Sequence, residues 1–212
     1  MEISVVLSLL TGIVTLAGYI VYNRDIFLGA CRPNAVSWAL WTMAIILNMA
    51  SYFSMTGDLL QNSLQIVSSG ACAITFGYAL YKKNYSPLTA TDKFTLGTGI
   101  IAVACWWWFD SAVFANMIIQ FAIVAAFIPT YKSVWNNPAN EKPTPWFIFS
   151  LAYLLLCLTV FLRWQGSWAD LVFPLLGVGL HLALAILIIF RPKFIPEAKF
   201  QGIDKKPNCA IM

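Results

Sequence analysis

The sequence predicts an all-α membrane protein. Seven transmembrane helices form two parallel triple-helix bundles joined by a linker helix. Three observations lead there. Of the 212 residues, 60% are hydrophobic and only 10% charged, with a mean hydropathy of +0.75. That is more apolar surface than a soluble domain of this size would carry, and it suits a polytopic membrane protein. The chain also repeats itself at an offset of 112 residues: Tyr19 falls on Tyr131, Pro33 on Pro145, Asp58 on Asp170, Leu59 on Leu171, Ala71 on Ala183 and Ile74 on Ile186. Apolar spans and loops keep register throughout. Finally, each copy holds three spans, and two odd units joined directly would lie inverted to one another. The one spare span, Phe94 to Phe109 (FTLGTGIIAVACWWWF), restores a common orientation and gives a 3+1+3 arrangement.

The elements follow in order. Residues 1–83 make the first repeat, with spans at Val5–Tyr22, Ala35–Met55 and Leu59–Tyr81. The first span lacks a basic segment before it and is expected to be retained as a helix. Arg24, Asp25 and Arg32 fall in the loop after it, and Pro33-Asn34 open the second span, proline being tolerated near a first turn. Gly57-Asp58 turn the chain into the third span. Residues 84–110 hold the linker helix, with Asp110 as a tight turn. Residues 111–192 make the second repeat, with spans at Ala112–Tyr131, Trp146–Leu162 and Leu171–Phe190, the last kinkable at Pro174. Residues 193–212 are a polar tail. The seven spans leave no room for a soluble domain.

Charge sets the orientation. Every Lys and Arg except Arg163 lies in the loops after spans one, three and five or in the tail, while Glu2, Asp58, Asp110 and Asp170 lie on the other side. The positive-inside rule then places the N-terminus outside and the C-terminus in the cytoplasm of an integral membrane protein. The net charge of +4 is accounted for by this asymmetry, so no nucleic-acid partner is expected. Five cysteines without a CxxC pair argue against a metal or disulfide framework, and no cofactor is expected. An enzyme is not expected either, since one histidine and scattered cysteines supply no nucleophile–base pair.

No Asp, Glu, Lys or Arg stands in the middle of a span. Pumps and proton-coupled carriers usually bury such a charge, so the expectation is a facilitator that equilibrates a small neutral solute. The polar residues within spans are Asn48, Ser51, Asn62, Gln65, Ser68, Ser69, Asn116, Gln120 and His181. Gln65 and Ser69 share a helix face, and their repeat mates are Gly177 and His181. An amide and a hydroxyl would thus face a glycine gap and an imidazole near the pseudo-twofold axis. Trp38 and Trp41 lie three residues apart with Asn48 two turns on, an aromatic face beside an amide that suits a ring-shaped solute. The candidate solute site is therefore Trp41, Asn48, Gln65, Gly177 and His181. The competing use of the polar residues is hydrogen bonding between helices, and that of the tryptophans is packing. Asn116 and Ser51 are assigned to the former. Trp106 to Trp108, Trp135, Trp146, Trp164 and Trp168 fall at span ends, as in an interfacial belt.

The last four residues, Cys209-Ala210-Ile211-Met212, fit a C-a-a-X prenylation signal at Cys209 with Lys205 and Lys206 upstream. That leaves a second function open: a membrane receptor, or an effector whose cytoplasmic tail recruits partners. Association into a homo-oligomer is also left open.

The chain resembles the SWEET and PQ-loop superfamily over Val5 to Phe190. The resemblance is carried by the 3+1+3 order, by Ala169-Asp170-Leu171-Val172-Phe173-Pro174 opening the last span, and by two further stretches. These are Phe127-Ile128-Pro129-Thr130-Tyr131-Lys132 and Lys142-Pro143-Thr144-Pro145-Trp146. It implies a transporter with hinge prolines at Pro33, Pro129 and Pro145. The sequence departs from that pattern where the PQ dipeptide reads Pro129-Thr130 in one copy and Ala17-Gly18 in the other. The family's paired pocket asparagines are represented at best by Asn62 or Gln65, opposite Gly177 or Leu175. Vitamin carriers of the nicotinamide-riboside type are similar in architecture, and their pocket resembles Trp38, Trp41 and Asn48.

Overall fold

The computed structural model describes residues 2–83 and 111–191, together with Thr89, Ala90, Asp92, Lys93, Gly97 and Trp108. The expected linker helix lies outside the described residues save for Gly97 and Trp108, and so does the tail with Cys209. What is described is helical: α1 (Ile3–Phe27), α2 (Ala35–Thr56), α3 (Ser63–Lys82), α4 (Ala112–Asn136), α5 (Pro143–Leu162) and α6 (Ala169–Phe190). A 3₁₀ turn, Pro138–Asn140, separates α4 from α5. All six helices are long and apolar enough to cross a membrane, so the chain is an all-α, multi-pass integral membrane protein.

The burial pattern of α1 shows how its sequence fits that role. It buries Ser4, Ser8, Thr11, Thr15, Gly18 and Tyr22 on one face and exposes Ile3, Leu9, Ile13, Leu16 and Ile20 on the other. A water-soluble helix would do the reverse. Small and hydroxyl residues let helices approach closely in lipid, where an exposed Ile costs nothing. Thr11 and Thr15 satisfy their hydroxyls on the carbonyls of Leu7 (2.8 Å) and Thr11 (2.7 Å).

Local chemistry sets the ends. Asn34 caps α2 by accepting the Ser37 N–H at 2.9 Å. Gly57 closes α2 at φ +63°, a left-handed position that favours glycine. Asp58 then accepts the Leu60 N–H at 2.9 Å, so residues 59–62 form a turn and α3 starts later than its apolar run. At the other end α1 continues through Arg24 and Asp25, which the sequence assigns to a loop. Likewise α4 runs through Pro129 to Asn136, well past Tyr131.

Proline inside α6 has a visible consequence. Pro174 has no N–H to give the carbonyl of Asp170 one turn back. That carbonyl instead accepts the Tyr52 hydroxyl at 2.7 Å, joining α2 to α6. Tyr52 is fully buried, so Tyr52→Phe leaves a buried carbonyl unpaired and is expected to cost about 1–3 kcal/mol. Pro174→Ala in the Tyr52→Phe background restores a donor one turn away and should recover part of the loss. Thermal unfolding of the two single variants and the double variant in detergent checks the coupling.

The main packing partners close a ring. In order around it stand α1, α3, α2, α4, α6 and α5, with α5 packing back on α1. The 112-residue offset maps α1 onto α4, α2 onto α5 and α3 onto α6, so it carries the ring onto itself. Helices α3 and α6 thereby face each other across the middle. One end of the ring carries Asp58, Arg163 and Asp170; the other carries Tyr22, Arg32 and Glu141.

Candidate functional site

The centre of the ring encloses a cavity of about 50 Å³. Its walls are mostly rings: Tyr19, Trp38, Trp41, Phe127, Trp146, Phe149, Tyr153 and His181, with Thr15, Ser68 and Cys72 between them. Two repeat-related pairs, Trp41 with Tyr153 and Thr15 with Phe127, contribute to the same walls. The rings interlock: Trp41 meets Phe127 at 4.6 Å and Trp146 at 5.8 Å, and His181 stacks on Tyr153 at 4.9 Å. The space suffices for a few waters and falls far below the roughly 300–1,000 Å³ of sites that hold a small organic molecule.

Trp41 and His181, of the five predicted site residues, line this cavity. Gly177 sits behind it, where an added Cβ would meet the Tyr153 ring at 2.0 Å; its carbonyl lies 2.7 Å from His181 Nδ1. A carbonyl only accepts, so Nδ1 carries the proton and Nε2 of the neutral ring keeps its lone pair. Asn48 belongs to a buried amide cluster between α2 and α4. Its Oδ1 accepts from Asn116 Nδ2 (2.9 Å) and Gln120 Nε2 (2.8 Å), and Asn116 also reaches Ser51 Oγ at 3.0 Å. Gln65 is fully buried, and among the described residues neither Oε1 nor Nε2 has a hydrogen-bond partner. The buried row of α3 includes Gln65, Ser68, Cys72 and Thr75, while the Ser69 hydroxyl bonds the Ile66 carbonyl. Gln65 and Ser69 stand one turn apart on this helix, but it is Ser68, on the other flank of Gln65, that lines the cavity.

Trp146 also departs from expectation. It is 1% exposed and forms part of the cavity wall, so it is no belt residue. Pro143 starts α5 a turn earlier than its apolar run, which carries Trp146 inward. Trp135, Trp168 and Trp108 are exposed, as a belt requires. Pro33, Pro129 and Pro145 are all buried: Pro33 just before the cap of α2, Pro145 in the first turn of α5, and Pro129 inside α4.

Polar ties close the ring at both ends. At the first, Arg163 Nε donates to Asp58 Oδ2, and Nη1 lies 3.6 Å from Glu2 and 3.3 Å from Ser4 Oγ. Burial alone would raise the Asp58 carboxyl, but the Arg163 guanidinium and the Leu60 N–H outweigh it and hold it below its ordinary value. At the second end the Tyr22 hydroxyl donates to Glu141 Oε1 at 2.8 Å, Trp146 Nε1 donates to Oε2 at 3.3 Å, and Trp38 Nε1 donates to the Tyr22 oxygen at 3.1 Å. The Arg32 N–H donates to the Asn140 carbonyl at 2.6 Å beside them. Glu141 is 2% exposed. Burial pushes its carboxyl up to about 8, against the pull of the Tyr22 and Trp146 hydrogen bonds and with help from Asp25. Sequence reasoning passes over this residue because it stands in a polar loop between Asn140 and Lys142. Its burial comes from the 3₁₀ turn, which packs on α4 and α6 and sets the carboxyl against Tyr22 of α1 and Trp146 of α5.

Among the described residues no three His, Cys, Asp or Glu side chains converge as a metal site would require. Comparison of the chain with family models, curated proteins and solved structures returns no match.

Proposed function

We propose that this protein is an alternating-access carrier for a small neutral polar solute, caught with both ends shut. The observation that carries the reading is the small central cavity together with the polar ties at both ends of the ring. Each closure joins residues of the first repeat to residues of the second: Asp58 with Arg163 and Tyr52 with Asp170 at one end, Tyr22 with Glu141 and Arg32 with Asn140 at the other. Breaking either set while keeping the other opens the cavity to one side only, which is the requirement for alternating access. The present volume admits no sugar-sized or nucleoside-sized solute, so binding goes with separation of the halves. Trp41 and His181 then form the walls, with Gln65 and Asn48 exposed to the solute as the ring expands.

The finer architecture in this reading is two parallel triple-helix bundles, α1–α3–α2 and α4–α6–α5, rocking about Pro33, Pro129 and Pro145. Lys83 ends α3 at the Glu141 end of the ring, where Lys82 lies 4.8 Å over the Phe27 ring. Ser111 starts α4 at the opposite end. A seventh crossing within residues 84–110 joins them, as the resemblance to SWEET and PQ-loop transporters implies. The positive-inside rule makes the Glu141 end cytoplasmic.

The test is solute exchange in proteoliposomes with labelled sugars, nucleosides and vitamins, with and without an imposed pH gradient. Saturable flux of one compound that stops at equilibrium is the expected result. No flux of any compound through folded, oriented protein would overturn the carrier reading in favour of a receptor or effector. Uphill uptake driven by a proton or sodium gradient would overturn its facilitative part.

A further inference from the structure

We propose that Glu141 is a proton-binding site that governs closure of its end of the ring, the cavity opening toward that side as Glu141 loses its proton. For its meaning in transport the proposal rests on the carrier reading; its test does not. Three helices converge on this one carboxyl: α1 through Tyr22, α2 through Trp38 behind Tyr22, and α5 through Trp146. Trp38 and Trp146 are also cavity walls, so the carboxyl lies against the cavity's end. Separating the repeats there must pull Tyr22 from Glu141 and Arg32 from Asn140, and must admit water to the carboxyl.

The charged and titratable groups around it favour the protonated form. Asp25, 8% exposed on α1, opposes a second negative charge nearby. Tyr22 and Trp146 donate to the carboxyl but carry no charge. Cys31, whose thiol burial pushes up, adds no cation. Arg32 contributes its backbone N–H through Asn140, and the Lys142 side chain is exposed. The ion pairs of Arg163 with Asp58 and Glu2 stand at the opposite end. An ionised Glu141 is thus buried on two hydrogen bonds from uncharged donors and beside Asp25, which is costly.

The sign follows from linkage. In the closed form the carboxyl sits at about 8; hydrated in an open form it returns to the ordinary carboxylate range near 4. The closed form therefore holds a proton that the open form releases. Closure is fully supported below the ordinary value, weakens as pH rises, and stops weakening above about 8.

Hydrogen exchange on the full chain in lipid nanodiscs reads this directly, using peptides covering residues 28–36 and 137–146 at pH 5.5, 7.5 and 9. Glu141→Gln, which stays neutral, is the reference that removes the chemical pH dependence of exchange. Opening of both peptides in the wild type, relative to Glu141→Gln, is expected to rise by about tenfold or more from pH 5.5 to 7.5 and to level off by pH 9. A wild type that parallels Glu141→Gln across the range, or becomes more protected as pH rises, would overturn the proposal. Tyr22→Phe guards against a reference variant that fails to fold. Losing one donor to the ionised form should move the wild-type midpoint to higher pH, and an unmoved midpoint also counts against the proposal. If no solute is transported in proteoliposomes but the exchange profile behaves as stated, the carrier reading falls and the proton site stands.

Discussion

Gly177→Ala is expected to lower the stability of the protein by about 1–3 kcal/mol, whereas Gly179→Ala on the same helix should be neutral or stabilising. The two glycines stand two residues apart on α6 and meet different surroundings. A Cβ at Gly177 would come within 2.0 Å of Tyr153 Cδ1 and 2.3 Å of Cε1, while one at Gly179 meets nothing within 4 Å. Tyr153 cannot yield cheaply. Its ring is stacked on His181 at 4.9 Å and meets Phe173 edge-on at 5.3 Å. The adjacent cavity of about 50 Å³ cannot take a displaced phenol ring without further shifts. At Gly179 an alanine only removes the conformational cost of glycine in a helix, about 1 kcal/mol. Melting temperatures of the two variants in one detergent check the contrast. Equal effects would mean that the Tyr153 contact is looser than its geometry implies.

Helix existence was legible in this sequence because lipid and protein impose opposite patterns on each span. The row Ser4, Ser8, Thr11, Thr15 on α1 reads as an interior face only once a bilayer is assumed, and composition supplies that assumption. Helix ends were less legible. Pro143 starts α5 before its apolar run begins, the Asp58 turn delays α3, and α1 and α4 continue through charged or polar residues beyond theirs.

The site was legible in part, for a reason of the same kind. Trp41 and His181 stand out within apolar spans and reach the cavity. Tyr153, Phe149 and Phe127 reach it too, yet in sequence they look like any lipid-facing aromatic. The repeat held a usable signal, since Tyr153 is the mate of Trp41. Glu141 had none, because its burial depends on how a loop folds back, and hydropathy carries no trace of that. Carboxylates are buried at both ends of the ring, Asp25 and Glu141 at one and Asp170 at the other, where the expectation drawn from the middle of the spans did not look.

Gln65→Leu should raise stability and, if the carrier reading holds, lower flux. Gln65 is fully buried, with its carbonyl and amino groups both unpartnered among the described residues. Each such group costs about 1–3 kcal/mol, and leucine fills similar space without either. A gain of roughly 1–3 kcal/mol in folding stability is expected by thermal or chemical unfolding in detergent. Asn48→Leu should behave oppositely. It removes the oxygen that accepts from Asn116 and Gln120 and should cost about 1–3 kcal/mol. An amide that destabilises the shut form needs a partner in some other state, and a polar solute entering an expanded ring is such a partner. Flux in Gln65→Leu is therefore expected to fall at least about tenfold, the worth of one good hydrogen bond, in a protein that melts higher. A Gln65→Leu variant that melts lower would place the amide with Asn48 as a tie between helices, leaving Trp41 and His181 to hold the solute.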